Sequence, residues 1–327
     1  FGSSNLGWTS CGQQLAHTRL CEASMKVERP EGMILAGVLL IFLASCMEGC
    51  GDSGDTQPVS FRVVDLDHDV QSLVVDGPLS VRVNVDERSS NRVHITGLRE
   101  IIDAVDIQSS VLGEEGHVLS FGWRCFFNVC TAPIPVTVNV TLRAPPWSAN
   151  SLNYARVSLS SMKGPVSLST YSTMELDTWI PVEGVHGAVV IGSSNLTVSH
   201  MIASGNVTLR ASLGSRAVVH DGEVGTLLTS AFDHSAIAYR VNVSTNCYVW
   251  ALGSSEVSGV AGRSAHVFAD VGSTVSLDAR GRVVECWSGT VIVNGTSDIV
   301  GPAQAAKDPG CRDPPFAASL GFGVSVL

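Results

Sequence analysis

The chain has 327 residues, 45% of them hydrophobic and only 15% charged, which supplies a large core and excludes a disordered or highly solvated polymer. Its formal net charge of -10 comes without any Lys/Arg block. Nucleic-acid binding is thereby excluded, because phosphate contacts need clustered basic side chains. Asp and Glu are scattered singly, the pattern of a solvated exterior.

Residues 1–32 show no periodicity and read as an unstructured leader or an upstream extension. The apolar run Met33 to Cys46, preceded by Lys26 and Arg29, has the length of a signal-peptide h-region and falls short of the roughly 20 apolar residues of a spanning helix. It is expected to be a cleavable export signal, with a retained signal anchor as the alternative. Leu43-Ala44-Ser45-Cys46 also looks like a bacterial lipobox, which makes Cys46 a lipidation candidate. Residues 47–58 are rich in Gly and Asp and suit a tether. Six of the nine cysteines come after this apolar run, and an even number permits full pairing in an oxidising compartment. Cys125 and Cys130 flank four residues and are expected to close a tight hairpin as a disulfide. A zinc site would need a second close pair or a nearby His, which is lacking.

From Val59 onward the alternation is β-like. Leu79 to Val85, Arg92 to Ile95, Val118 to Phe121 and Val136 to Leu142 each place apolar residues at every second position. Ala144-Pro145-Pro146 is a plausible boundary between these less regular strands and a repeating region. Beyond it, small-residue turns recur at Gly192-Ser193, Gly214-Ser215, His234-Ser235, Gly253-Ser254, Gly272-Ser273 and Ser288-Gly289, at steps of 22, 20, 19, 19 and 16 residues. Repetition at this interval is the mark of a solenoid, each repeat one coil turning at a Gly or Ser corner, with Gly192, Gly214, Gly253 and Gly272 expected at equivalent places stacked in one column. A sandwich or Greek-key barrel would vary its loop lengths. The expected fold is all-β: a right-handed parallel β-helix spanning a domain of residues 59–300, with coils mainly in 149–300, an irregular N-terminal β region as a cap, and a tail at 301–327.

Several segments resemble the GIN-domain family, described as auto-transporter adhesin heads. Leu73 to Val85 is similar to the opening strand, turn and strand of that family; Val93-His94-Ile95, Gly116 to Phe121 and the exit Val136 to Pro146 come next in its order. The Gly-Ser corners resemble its repeated units, so the likeness covers roughly Val59 to Val300. The resemblance implies an exported, surface-associated β-helix with an adhesive role. It carries no catalytic residue to any position.

An enzyme on this scaffold would gather acid and base groups from neighbouring coils onto one face. The candidates are His220, Asp221 and Glu223, then Asp233 and His234, Asp270 and Asp278. His220 and Asp278 each lie six places after a corner Gly, but Gly259 takes the matching offset from Gly253. No catalytic residue is therefore assigned. No G-x-S-x-G elbow or G-G-x-G-x-D calcium series occurs, and no cofactor or metal is expected. Five N-x-S/T sequons, at Asn139, Asn195, Asn206, Asn242 and Asn294, fall opposite apolar strand positions or at a turn and are glycosylation candidates. The alternative is that Asn, Ser and Thr simply form the polar alphabet of outward strand positions. Trp123, Trp147, Trp179, Trp250 and Trp287 could stack on sugars, although Trp250 and Trp287 read as packing residues. The expectation is a non-enzymatic exported protein whose partner is a surface ligand, glycan or protein, and which meets a membrane only through an N-terminal anchor. A polysaccharide lyase or hydrolase and a structural envelope protein are the alternatives.

Overall fold

The computed structural model describes residues 59–111, 116–123, 136–181, 187–295 and 298–312. The expected export segment with Cys46, the cysteine Cys50, and the expected Cys125–Cys130 hairpin lie outside the described residues. Among the described residues, no helix is long and apolar enough to cross a membrane.

The protein is nearly all-β, and its strands coil into a parallel β-solenoid. The N-terminal strands are β1 (Val59–Asp65), β2 (Ser72–Asp76), β3 (Ser80–Val85), β4 (Arg92–Leu98), β5 (Val105–Val111), β6 (His117–Trp123) and β7 (Val136–Leu142). They are followed by β8 (Ser148–Leu152), β9 (Arg156–Lys163), β10 (Val166–Leu168), β11 (Thr173–Ile180), β12 (Ala188–Ile191), β13 (Asn195–Ser212) and β14 (Arg216–Phe232). The array ends with β15 (Ala236–Tyr239), β16 (Asn242–Val243), β17 (Asn246–Leu252), β18 (Glu256–Ala261), β19 (Ser264–Ala269), β20 (Thr274–Ala279), β21 (Arg282–Glu285), β22 (Thr290–Asn294) and β23 (Asp298–Val300).

These strands build two parallel ladders. One runs β6, β2, β8, β10, β12, the second half of β13, the second half of β14, β17, β19, β21 and β23. We call it the aromatic wall. The other, the polar wall, runs β7, β3, β9, β11, the first half of β13, the first half of β14, β15 with β16, β18, β20 and β22. The chain passes from the aromatic to the polar wall at each sharp corner and returns through a wider bend, as in β13, where the register shifts between Ala203 and Asn206. Alternate side chains of both walls meet inside. Val207, Leu209, Val267 and Ala269 are fully buried there, as their alternation predicts.

The N-terminal strands differ from the sequence expectation. They do not merely cap the coils: β2 and β3 form a complete coil inserted between β6–β7 and β8–β9. The spatial order of coils is therefore not the chain order. Reversal is achieved by antiparallel pairing of β4 with β7 and of β5 with β6, and β1 pairs antiparallel with β4 at the outermost edge. Antiparallel strands thus end the stack at this side, while the coils inside remain parallel.

Six successive sharp corners, from residue 153 to residue 254, place two consecutive residues at positive φ, whereas at the next corner only Gly272 does. The pairs are Asn153-Tyr154, Thr170-Tyr171, Gly192-Ser193, Leu213-Gly214, Asp233-His234 and Gly253-Ser254. In the first five pairs the second residue donates its N–H to the carbonyl of the first residue one coil on, as from Tyr171 to Gly192 at 2.8 Å and from Gly214 to Asp233 at 2.9 Å. This corrects the equivalence expected of the corner glycines. Gly192 and Gly253 hold the first place, Gly214 and Gly272 the second, and they stack as two columns instead of one. The conformation is shared by the pair, so a single glycine at either place relieves only half of the left-handed cost.

The third corner residue is a buried serine in successive coils. Ser172, Ser194, Ser215, Ser235 and Ser255 each donate a backbone N–H to the hydroxyl of the serine one coil further, at 3.1 to 3.2 Å, ending on Ser273. The hydroxyls of Ser172 and Ser255 donate in turn to carbonyls three residues back. The ladder thus satisfies buried backbone donors that the corner removes from the strands.

Candidate binding surface

The polar wall presents its outward side chains in straight columns, because parallel pairing aligns equivalent residues of successive coils. One column runs Ser158, Glu175, Thr197, Val218, Ala238, Ser258, Ser276 and Ile292. Short side chains dominate it, so the wall is flat along most of its length. Beside this column Arg156, Asn195, Arg216 and Glu256 stand exposed.

A cleft of about 330 Å³ interrupts this surface, lined by His200, Ile202, Asp221, Glu223, Arg240 and Asn242. His200 and Asp221 are register partners, and Nδ1 of the histidine lies 3.3 Å from Oδ2 of the carboxylate. Both side chains are well exposed, so the pair contributes little to stability. Glycoside hydrolysis needs two carboxyls facing one another across a groove. Asp221 and Glu223 leave the same strand side by side, and their register partners are His200, Ile202 and Asn242, none of them a carboxylate.

The remaining candidates are dispersed. His220 and Asp278 share the polar wall, but the strands carrying Arg240 and Val260 lie between them. At the usual strand spacing this separates them by about 14 Å. Val260, not Gly259, is the register partner of Asp278, because Gly253 holds the first corner place. Gly259 instead faces inward, where a Cβ would lie 2.3 Å from the buried Tyr239 ring. Asp233 and His234 form a corner. Asp270 is committed to another, where the Gly253 N–H and the Ser273 hydroxyl hold its carboxyl below the ordinary range. Among the described residues, no group of three His, Cys, Asp or Glu is arranged to hold a metal ion.

The five sequon asparagines are exposed. Asn139, Asn195, Asn242 and Asn294 stand on the polar wall and Asn206 on the bend of β13. Their apolar neighbours Val138, Val140, Leu196, Val207, Leu209, Val241 and Val243 are buried.

The aromatic wall carries a feature that tryptophan counting only touched. Outward residues of its C-terminal half form columns: Leu228, Tyr248 and His266 in one, Ser230, Trp250 and Phe268 in the next. Trp250 and Phe268 stack with ring centroids 4.8 Å apart, Tyr248 and His266 at 5.1 Å, and Trp287 meets Phe268 edge-on at 5.5 Å. Although they point away from the core, Trp250 and Phe268 are only 3% and 2% exposed. The segment 301–312 docks nearby: Cys311 is bonded to Cys286, and Asp308 meets His266 at 3.1 Å and Arg282 at 3.4 Å. Burial opposes ionisation of Asp308, but the Gly310 N–H, His266 and Arg282 together hold its carboxyl below the usual range. The alternation Tyr248-Val249-Trp250, repeated as His266-Val267-Phe268, carries this ladder in the sequence. Trp179 is a core residue that donates Nε1–H to the Gly164 carbonyl at 2.8 Å, while Trp147 and Trp287 are exposed.

Full cysteine pairing does not occur. Cys247 is a buried free thiol, 3.1 Å from the Tyr239 hydroxyl, and burial pushes its pKa up to about 12. It is therefore a small core hydrophobe with no thiolate to react.

No family model and no curated protein sequence matches the chain. Solved structures do. A candidate adhesin from Parabacteroides distasonis is similar at a TM-score of 0.58 and 15% identity, covering 75% of this chain and 98% of that one. Another, from Parabacteroides merdae, has a TM-score of 0.48 and 13% identity over 76% of this chain and 95% of its own. At 15% identity the first of these likenesses bears on the β-solenoid fold alone, and function has to be argued from the surface.

Proposed function

We propose that the protein is an exported, non-enzymatic interaction module that holds a surface ligand, glycan or protein, against its polar wall, in the adhesive manner that the GIN-domain resemblance implies. The observation that carries this reading is the wall itself: a flat series of register-aligned Ser, Thr, Ala and charged side chains left open to solvent. Such a surface suits an extended ligand held by many weak polar contacts. The Cys286–Cys311 bond supports an oxidising, extracytoplasmic setting. The description of similar solved structures as candidate adhesins accords with the reading.

The test is binding of the purified protein to an oligosaccharide array and to immobilised cell-surface protein. Saturable binding to at least one of these is expected, and it should fall at least about tenfold in a Ser258→Arg/Ser276→Arg double variant of unchanged melting temperature. Binding indifferent to that change, or absent on every surface, removes the proposal. Release of new reducing ends from a polysaccharide, abolished by Glu223→Gln, would establish the carbohydrate-active enzyme in its place.

A further inference from the structure

The left-handed corners favour Gly, Asn or other small residues, yet two successive coils place tyrosine there. Tyr154 has φ 68° and Tyr171 φ 60°. The corner imposes this region on other bulky residues too, Leu213 at φ 57° and His234 at φ 61°, and what sets the tyrosines apart is two aromatic rings at one place in adjacent coils. Packing does not account for Tyr171. Its ring stacks on Tyr154 with centroids 5.2 Å apart and planes 10° apart, but the residue remains 57% exposed.

The coil order shows what lies beyond the free side of that ring. Along the second corner column the residues are Tyr154, Tyr171, Ser193, Gly214 and His234, linked coil to coil by the corner hydrogen bonds. Two rungs of minimal bulk, Ser193 and Gly214, therefore separate Tyr171 from His234. At the usual strand spacing the backbones that bound the resulting slot, those of Tyr171 and His234, lie about 14 Å apart. Leu213 and Asp233, from the first corner column, stand exposed alongside.

We propose that this slot binds the flat apolar face of a pyranose sugar. An open aromatic face beside hydroxyl, carboxylate and imidazole groups matches a pyranose, which carries C–H groups on one face and hydroxyls around its rim. A peptide anchor would instead need a pocket enclosing its side chain, and the slot is open along a convex ridge. The gap admits a pyranose ring lying parallel to the Tyr171 ring, with the rest of an oligosaccharide leaving the slot sideways across the ridge. The assignment rests on the binding-module reading, but it places this contact at the corner and not on the central columns of the polar wall.

The experiment is calorimetric titration of the whole protein with the β-1,4-linked hexasaccharides of glucose and of N-acetylglucosamine, with melting temperature measured in parallel. Wild-type protein should bind at least one of them. Tyr171→Asn, which tolerates the left-handed conformation, should weaken binding about tenfold while keeping or raising the melting temperature. Tyr171→Phe should stay within about threefold, since the ring does the stacking. Gly214→Asn, which fills the slot without touching the tyrosines, should also weaken binding. Unchanged binding in both Tyr171→Asn and Gly214→Asn overturns the slot. So does failure of both hexasaccharides to bind a wild-type protein that still shows Ser258-dependent binding on the array; the polar-wall reading then stands alone. Saturable binding of a Tyr- and Pro-containing peptide, with both hexasaccharides silent, would make the slot a peptide site and overturn the sugar assignment.

Discussion

The two walls are built from the same alternating strands and share one core, yet their outer surfaces have opposite fates. On the C-terminal half of the aromatic wall the outward residues Leu228, Tyr248, Trp250 and Phe268 form a second buried cluster, with Cys286 packed against it. On the polar wall the equivalent outward positions carry Ser258, Ser276, Thr197 and Ala238, and they remain partly open. In a solenoid the inward face is obligatory and the outward face is free to vary. One wall uses that freedom to dock the segment 301–312 and the other leaves its outward residues open, and that contrast is the ground for the binding role proposed for the polar side.

The largest expected effect comes from removing the outer aromatic packing. Trp250→Ala should cost about 3–5 kcal/mol in chemical denaturation, as a core truncation does, even though Trp250 faces away from the core. A loss below about 1 kcal/mol would mean that the second cluster is mere surface and the contrast between the walls is false.

Cys311→Ser should cost up to about 3 kcal/mol, because the bond closes a loop of 25 residues. Release of segment 301–312 should appear as faster amide exchange across β17 and β19 and as dye binding to the aromatic columns. Unchanged exchange there would show that the segment does not protect the ladder.

Ser215→Ala should cost about 1–3 kcal/mol, since it orphans the buried Ser194 N–H that now donates to the Ser215 hydroxyl. Ser258→Ala, on the open surface of the polar wall, should stay within about 0.5 kcal/mol. Equal costs at the two serines would erase the distinction between structural and displayed hydroxyls.

Acid should act on the clasped side first. The folded-state pKa of Asp308 is depressed, so the stability it contributes is present above the ordinary aspartate range and is lost as pH falls through its folded pKa. Tyr248, His266 and Arg282 are the titratable and charged groups facing it. The Trp250 fluorescence should therefore change below about pH 4, before global unfolding, and Asp308→Asn should abolish that early step. An unaltered acid profile in Asp308→Asn would assign the change elsewhere.

Much of the fold was legible because its signals are local. Apolar alternation set the inward residues, and the 19- to 22-residue corner interval in residues 192–272 set the coil length. The corner glycines misled because a left-handed pair can be relieved at either place, so Gly214 and Gly253 look alike in sequence while occupying different columns. The tyrosines of the corner ridge were invisible for the converse reason: Asn153 tolerates the left-handed region, but nothing in Thr170-Tyr171 announces a corner, and only the alignment of coils puts the two rings together.

By itself, then, the sequence determined what each coil is, since a strand's inward face and a corner's small residues depend only on neighbours a few positions away. Tertiary structure decided which coil lies next to which and what covers the outside. The insertion of β2 and β3 between later coils requires the antiparallel reversals of β4 and β5, and parallel alternation reads the same whichever strand is the partner. The burial of Trp250 and Phe268 likewise depends on the fold, because an outward aromatic carries no mark of whether solvent or another segment will meet it.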